Sequence, residues 1–404
     1  MRLTCTRFLF TLLILSVALQ AQSPPLVLRS ALAAAEADNL ELRAARQQRA
    51  MALAGLQTAR QFLNPSISFG AARDTPHESL LWDQIFELGG KRGKRIALAR
   101  EEQAATELDI SILARQIRQR TRQAFYAVIA SREQTAQAKA ALDLATRIRD
   151  IVQQRFDAGD VAQIEVIQAE VELARATAEY ETAAQAQKTA DAQLAALLNL
   201  PVTEAANVEG RLSDIPKIDS LQAASDIAIR SNTNIQRATK EVQLEQRRLD
   251  LAKAQRVPNL DLQAGADLNS PHEFHVGPRG QIAVSVPLFY HGQGEVAQST
   301  TRLEFLRLLL QALRTNASAD VAAAYFDYLA KAHQAEQYEQ KIVPQSVKLQ
   351  EMAEDSYRSG KSNLLTLIDA QRKLNETRKT YLDSLLTVQS SFATLEEVVG
   401  APLD

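Results

Sequence analysis

The chain carries one cysteine in 404 residues, Cys5, and is also poor in aromatics (5%), glycine (14) and proline (12). Each scarcity excludes something. A single cysteine near the start leaves no disulfide framework and, beyond it, no thiol chemistry. Length alone would suggest two or three compact domains at about 100–200 residues each. So few aromatics and chain breakers, with stretches filled by Ala, Gln, Leu, Glu and Arg, point instead to long helices. The formal net charge of −2 offers no basic surface for nucleic acid. After residue 21 there is no apolar run near the ~18 residues that a membrane-crossing helix requires. No phosphate loop, nucleophile elbow or metalloprotease helix motif is present. Gly89-Gly90-Lys91 lacks the upstream glycine and the following Ser or Thr of a phosphate loop. No catalytic residue, enzymatic activity or cofactor is therefore expected.

Residues 1–21 read as a secretory signal: Arg2 and Arg7 lead, Phe8 to Leu19 is apolar, and Leu19-Gln20-Ala21 offers a cleavage site. The apolar stretch is too short to span a bilayer, which needs about 20 residues. An exported chain without a helical anchor is either soluble or held by a β-barrel.

The remainder is built twice, about 200 residues apart. Asn39 matches Asn232 and Pro65 matches Pro258. Ala124-Phe125-Tyr126 matches Ala324-Tyr325-Phe326, and Phe156-Asp157-Ala158-Gly159 matches Tyr357-Arg358-Ser359-Gly360. Leu200-Pro201 matches Ala401-Pro402. The first unit covers 22–202, the second 221–404, and 203–220 reads as a linker with Gly210 and Pro216 as breakers. Each unit runs helix, two strands, very long helix, tight turn, long helix. No proline lies between Pro76 and Pro201 and no glycine between Gly93 and Gly159. One helix from about Lys91 to Arg155 would therefore be ~98 Å long at 1.5 Å per residue. Helices at about 28–62 and 161–199 sum to a similar length and would stack beside it. The counterpart in unit two, about Glu295 to Tyr357, contains Pro344 and should kink there. A seven-residue seam follows each tight turn, Val166, Leu173, Tyr180, Gln187 and Leu194, then Leu367, Leu374, Tyr381, Val388 and Leu395, the mark of coiled-coil packing.

Strands are expected at about 64–73, 79–88, 258–268 and 279–288, because apolar and polar residues alternate there, most cleanly from Leu260 to Leu268. Their length suits tilted membrane strands. Four strands cannot close a barrel, for which about eight is the minimum, and open edges are not tolerated in lipid. Pooling the strands of three chains would give a homotrimer with one 12-stranded barrel, held in outer-membrane lipid.

This pattern resembles the outer-membrane efflux protein (TolC) family over the whole mature chain. Two motifs carry the likeness. Val286-Pro287-Leu288-Phe289-Tyr290-His291-Gly292 looks like the family's exit from barrel to helix. Phe86-Glu87-Leu88-Gly89-Gly90-Lys91-Arg92 is its equivalent in unit one, in a form similar to the cobalt-zinc-cadmium (CzcC-like) branch; the basic cluster also suits snorkelling at the membrane surface. The resemblance implies a mainly α fold with a small β part and a trimeric periplasmic helical tunnel under the barrel. It further implies a periplasmic adaptor, an inner-membrane pump of the resistance-nodulation-division type, and passive efflux of heavy-metal cations such as cobalt, zinc, cadmium or copper. It assigns adaptor docking to the tips, Phe156, Gly159, Tyr357 and Gly360. It places aperture residues just past the tips, where Glu165, Thr366 and Asp369 stand; an acid of the family pattern is missing at Thr366. His272 and His275, with His77 in the first loop, are weak metal candidates in the outer hairpin loops, since imidazole suits zinc or copper. Type I secretion or multidrug efflux shares the fold. A periplasmic coiled-coil adaptor is the reading from another class, disfavoured by the two hairpin units.

Overall fold

A computed structural model describes residues 25–218, 220–270 and 274–403. The signal expected at 1–21, with Cys5, and the loop residue His272 lie outside these. Each unit opens on a helix that breaks after three turns. Unit one has α1 (Leu28–Asp38) and α2 (Leu40–Arg60); unit two has α6 (Leu221–Ser231) and α7 (Thr233–Gln255). The break within the single helix expected at 28–62 falls at Asn39. Its extended backbone leaves the helix, and its side chain accepts from Leu42 N, capping α2. Asn232 caps α7 through Ile235 N in the same way.

Helix α3 (Lys91–Asp157) runs unbroken for 67 residues, ~100 Å. After a tight turn, α4 (Gln163–Leu198) returns along it, and α2 continues beside the upper part of α3. The expected pairing of one long helix with two stacked ones is thus what forms. In unit two the counterpart of α3 is divided. Helix α8 (Gln293–Gln337) passes into a π turn at Tyr338–Ile342 and then α9 (Val343–Arg358), before α10 (Leu364–Val399) returns. Pro344 has no N–H for the carbonyl of Gln340, and the wide turn directly before it absorbs that loss.

The strands are β1 (Ser66–Ala71), β2 (Glu78–Phe86), β3 (Leu260–Ser270) and β4 (Phe274–Val284), in one antiparallel sheet of that order. β4 starts and ends earlier than the stretch 279–288. Its partner β3 begins at Leu260, opposite Val284, so nothing remains for Val286 to pair with, and Pro287 cannot donate. Cross-strand partners share a face, so the register fixes both faces. One carries Ile67, Phe69, Leu80, Trp82, Leu262 and Ile282. The other carries Ser66, Asp83, Asp261, Gln263, Asp267 and Arg279. The register puts position 265 on the polar face as well, and it is a glycine because a Cβ there would lie 2.1 Å from the Leu80 carbonyl.

The main core lies around Phe125 and Ile129 of α3, Leu194 and Leu198 of α4, Tyr328 of α8 and Phe392 of α10. Residues 203–220 are no loose connector. A short helix α5 (Val202–Ala205) is followed by Val208 and Leu212, both buried. Arg132 donates to the carbonyls of Ala206 and Val208, and Gln389 to those of Leu212 and Asp214. Inside this core Arg122 meets Glu396 at 3.1 Å, with side chains 1% and 9% exposed, and lies over the Phe392 ring.

Beside the sheet the helices lie in the order α2, α3, α7, α8; towards the tips the order is α4, α3, α10, α9. One flank of the protomer is therefore α2, β1 and α4, and the other is β4, α8 and α9.

Candidate functional sites at the helix tips and the barrel exit

The two tips are built alike. At the first, Gly159 takes φ +81°, its N–H reaches Phe156 O and Asp160 N reaches Arg155 O at 2.8 Å. At the second, Gly360 takes φ +70°, its N–H reaches Tyr357 O and Lys361 N reaches Ser356 O at 2.9 Å. Both are left-handed helix ends that favour glycine and satisfy the last carbonyls. They differ at the next helix start. Ala162 offers α4 no side-chain cap, whereas Asn363 caps α10 through Thr366 N and also accepts from the Thr366 hydroxyl. Thr366 thus helps to hold the start of α10.

The tips are tied across the repeat. The Tyr357 hydroxyl donates to Glu165 at 3.3 Å, and Arg155 lies 5.3 Å from the centre of the Tyr357 ring. Burial first, then Glu165, push the Tyr357 phenol upward, partly offset by Arg155. Two turns further along α4, Arg372 donates to Glu172 at 2.9 Å, and that hydrogen bond raises the guanidinium's pKa. An apolar cluster of Val152, Val166, Ala353, Leu364 and Leu367 packs beneath these polar ties. Glu165 is therefore half-buried between the hairpins, while Asp369 is exposed and Phe156 is 37% exposed at the end of α3. Sequence spacing gave no sign of the Glu165–Tyr357 pair, because its members belong to different units.

At the exit, Phe86 ends β2 and Gly89 and Gly90 turn the chain with φ of +68° and +69°. Gly89 is required twice over, since a Cβ there would also lie 2.8 Å from Val257. Lys91 is buried and donates to Asn259. Two further basic residues reach back onto the protein. Arg92 donates to Arg60 O, and Arg95 to Ala59 O and Gln61 O while gripping Glu87 with both nitrogens. These carbonyls close α2, where no further helical N–H is available, and cations suit a helix C-terminus. The basic cluster is a cap supplied from another helix. In unit two, Pro287 and Phe289 lie in irregular chain after β4, Gly292 precedes α8 at φ +67°, and Arg256 donates to His291 O. Phe289 is 94% exposed. His275 is exposed, and among the described residues no three His, Cys, Asp or Glu side chains group to hold a metal.

The sequence profile of the outer membrane efflux proteins matches residues 31–200 and 224–401, one copy per unit. The chain belongs to the outer membrane efflux protein family. It is an outer-membrane channel component of a tripartite efflux system, a transport protein and not an enzyme. Channels of this family are trimeric and work with an adaptor and an inner-membrane pump. Over 386 residues the chain is 24% identical to the cobalt-zinc-cadmium resistance protein CzcC of Cupriavidus metallidurans, covering 93% of this chain and 90% of that one. It is 26% identical over 349 residues to the pyoverdine export outer membrane protein OpmQ of Pseudomonas putida, covering 83% and 71%. Its fold matches crystal structures of CusC with a TM-score of 0.77 at 18% identity, over 93% and 92% of the two chains.

Proposed function

We propose that three copies of this chain join head to tail into one channel and that this channel passes divalent metal cations outward from a metal pump. The open edges of β1 and β4 support the trimer, because an unpaired strand edge is not sustained in lipid and four strands cannot close. The observation that carries the cation reading is the polar face of the sheet. Each copy brings Asp83, Asp261 and Asp267 to it against Arg279, which itself lies 3.7 Å from Asp267. Closed with the apolar face outward, the barrel lines its lumen with carboxylates, and rings of acids favour cations. Similarity to CzcC agrees with this. The tips Phe156, Gly159, Tyr357 and Gly360 are the ends offered to the adaptor, and exposed Asp369 lines the aperture they surround.

Conductance across a planar bilayer tests the reading. The wild-type trimer should prefer cations, and Asp83→Asn with Asp261→Asn should reduce that preference. An anion-selective wild type, or a double variant of unchanged selectivity, overturns it. In cells, loss of the gene should lower tolerance to cobalt, zinc or cadmium. A second reading, export of a small organic chelator, is favoured by the similarity to OpmQ. It predicts unchanged metal tolerance and loss of chelator from the medium.

A further inference from the structure

A cavity opens between the two hairpins near the tips. Helices α3 and α9 flank α10, and the space between them holds 460 Å³, with Leu367 of α10 in its lining. That volume falls within the range of about 300–1,000 Å³ that small-molecule sites occupy. Its walls are complete within one copy. Leu144, Ile148 and Ile151 of α3 form an apolar wall, and Ile151 is 44% exposed.

The charges around this cavity are one-sided. Arg147 and Arg155 enter from α3 and Arg358 from α9. Among the described residues Glu354 is the one acid that lines it. Glu354 pairs with Arg358 at 2.6 Å and accepts from Gln350 at 3.0 Å. Three guanidiniums against one carboxylate leave two positive charges. Helix ends account for part of this. Arg155 and Arg358 stand in the last turns of α3 and α9, where cations suit the unpaired carbonyls. Arg155 also lies over the Tyr357 ring. Arg147 has neither reason. It stands ten residues before Asp157, the last of α3, and makes no ion pair among the described residues.

We infer that this cavity binds a small amphipathic anion: a carboxylate, sulfonate or sulfate on an apolar body. Arg147, Arg155 and Arg358 take the charged head, and Leu144, Ile148 and Ile151 take the body. Hydrogen bonds from guanidinium to such a head are charge-assisted and among the stronger ones. The walls are helix interiors whose backbone N–H groups are already bonded, so side chains must supply the donors. A bare inorganic anion would leave the apolar wall unused, and a cation would meet the two surplus positive charges. The head also bridges the repeat, since Arg147 and Arg155 belong to unit one and Arg358 to unit two. A ligand held by both units ties α3 to α9 and stabilises the arrangement it binds. The site is separate from the conduction of cations and does not depend on it.

Naphthalene-2-sulfonate is a probe of this class. Titrated into the wild-type protein in lipid nanodiscs, it should bind saturably and lower deuterium uptake in peptides covering 144–155 and 350–358. Naphthalene-2-sulfonamide keeps the body without the charge, and inorganic sulfate keeps the charge without the body. Each should bind about tenfold more weakly, or less well still. Arg147→Gln should weaken the probe about tenfold, since it removes one charged donor. Unliganded, that variant should exchange as the wild type does, because Arg147 is exposed. Ile151→Asp sets a carboxylate in the exposed wall and should also weaken the probe. Absence of saturable binding, or protection confined to other peptides, overturns the inference. Equal binding of the sulfonamide would leave only an apolar patch, and equal binding of sulfate only an adventitious basic one; either result overturns it. So does an affinity that neither Arg147→Gln nor Ile151→Asp changes.

Discussion

The side chain of Asn39 joins two helices end to end: its amide donates to the Leu197 carbonyl at 2.9 Å while its oxygen accepts from Leu42 N at 3.1 Å. Asn232 repeats the arrangement with Val398 O and Ile235 N. Each asparagine satisfies an orphan acceptor at the end of the helix rising from the tip and an orphan donor at the start of the next. This is how α4 and α2, and α10 and α7, join end to end although each pair is separated in the chain by two strands and a long helical run.

The double role can be separated by mutation. Asn39→Asp keeps the cap but loses the donor to Leu197, and Asn39→Ala loses both. Removing a cap costs about 1 kcal/mol and an ordinary hydrogen bond about another 1 kcal/mol. The expected order of thermal unfolding is wild type above Asn39→Asp above Asn39→Ala, with the same order at Asn232. Equal stability of the two Asn39 variants would show that the bridge to Leu197 contributes nothing.

The capping of α2 by the basic exit makes a second prediction. Arg95→Gln should free the carbonyls of Ala59 and Gln61 and release Glu87, so amides of the last turn of α2 should exchange with solvent faster. Lysine at position 95 should not rescue them, because one ammonium cannot grip Glu87 with two nitrogens and reach the carbonyls as well. Hydrogen exchange read by mass spectrometry on a peptide covering 56–63 checks both variants. Unchanged exchange would return the cluster to a role at the membrane surface.

The buried pair Arg122–Glu396 gives a third. Arg122→Met leaves the Glu396 carboxylate buried opposite an apolar side chain, a loss of roughly 3–5 kcal/mol. Arg122→Met with Glu396→Met removes both charges and should recover most of that. The two unfolding midpoints, measured on the same preparation, decide it: a double variant no better than the single one would mean that Phe392 packing, not charge pairing, is what Arg122 supplies.

What could be read in the sequence follows from which signals are local. The length of α3 was legible because nothing between Gly93 and Gly159 breaks a helix. The strands were legible from alternation, and the tips from Gly159 and Gly360. The break at Asn39 was not, because helical periodicity continues through Asp38-Asn39-Leu40, although Asn is a favoured cap and its match to Asn232 was visible. Alternation runs on to Val286, but β4 stops at Val284 because strand length is set by the partner. The tip ties were hidden for a stronger reason. Tyr357 and Glu165 are 192 positions apart, and only the folded duplication brings them together.

That tie makes the tips sensitive to alkali. The Tyr357 phenol is pushed above its ordinary value of about 10, chiefly by burial and then by Glu165. A raised folded-state pKa means the folded form holds the proton more tightly. The associated stability is fully present below the unfolded value of about 10 and is lost as pH rises through the higher folded one. Ionisation would place a phenolate against the Glu165 carboxylate and remove the donated hydrogen. The tips should therefore loosen above about pH 10, and only the part of any alkaline change that comes from the tips should depend on Tyr357. Tyr357→Phe lacks the ionisable group, so its tip should show no such step, at the cost of a weaker tie at neutral pH. Spin labels at Asp160→Cys and Lys361→Cys would report the distance between the tips as pH rises. An alkaline step of equal size in wild type and Tyr357→Phe would place its origin at another group.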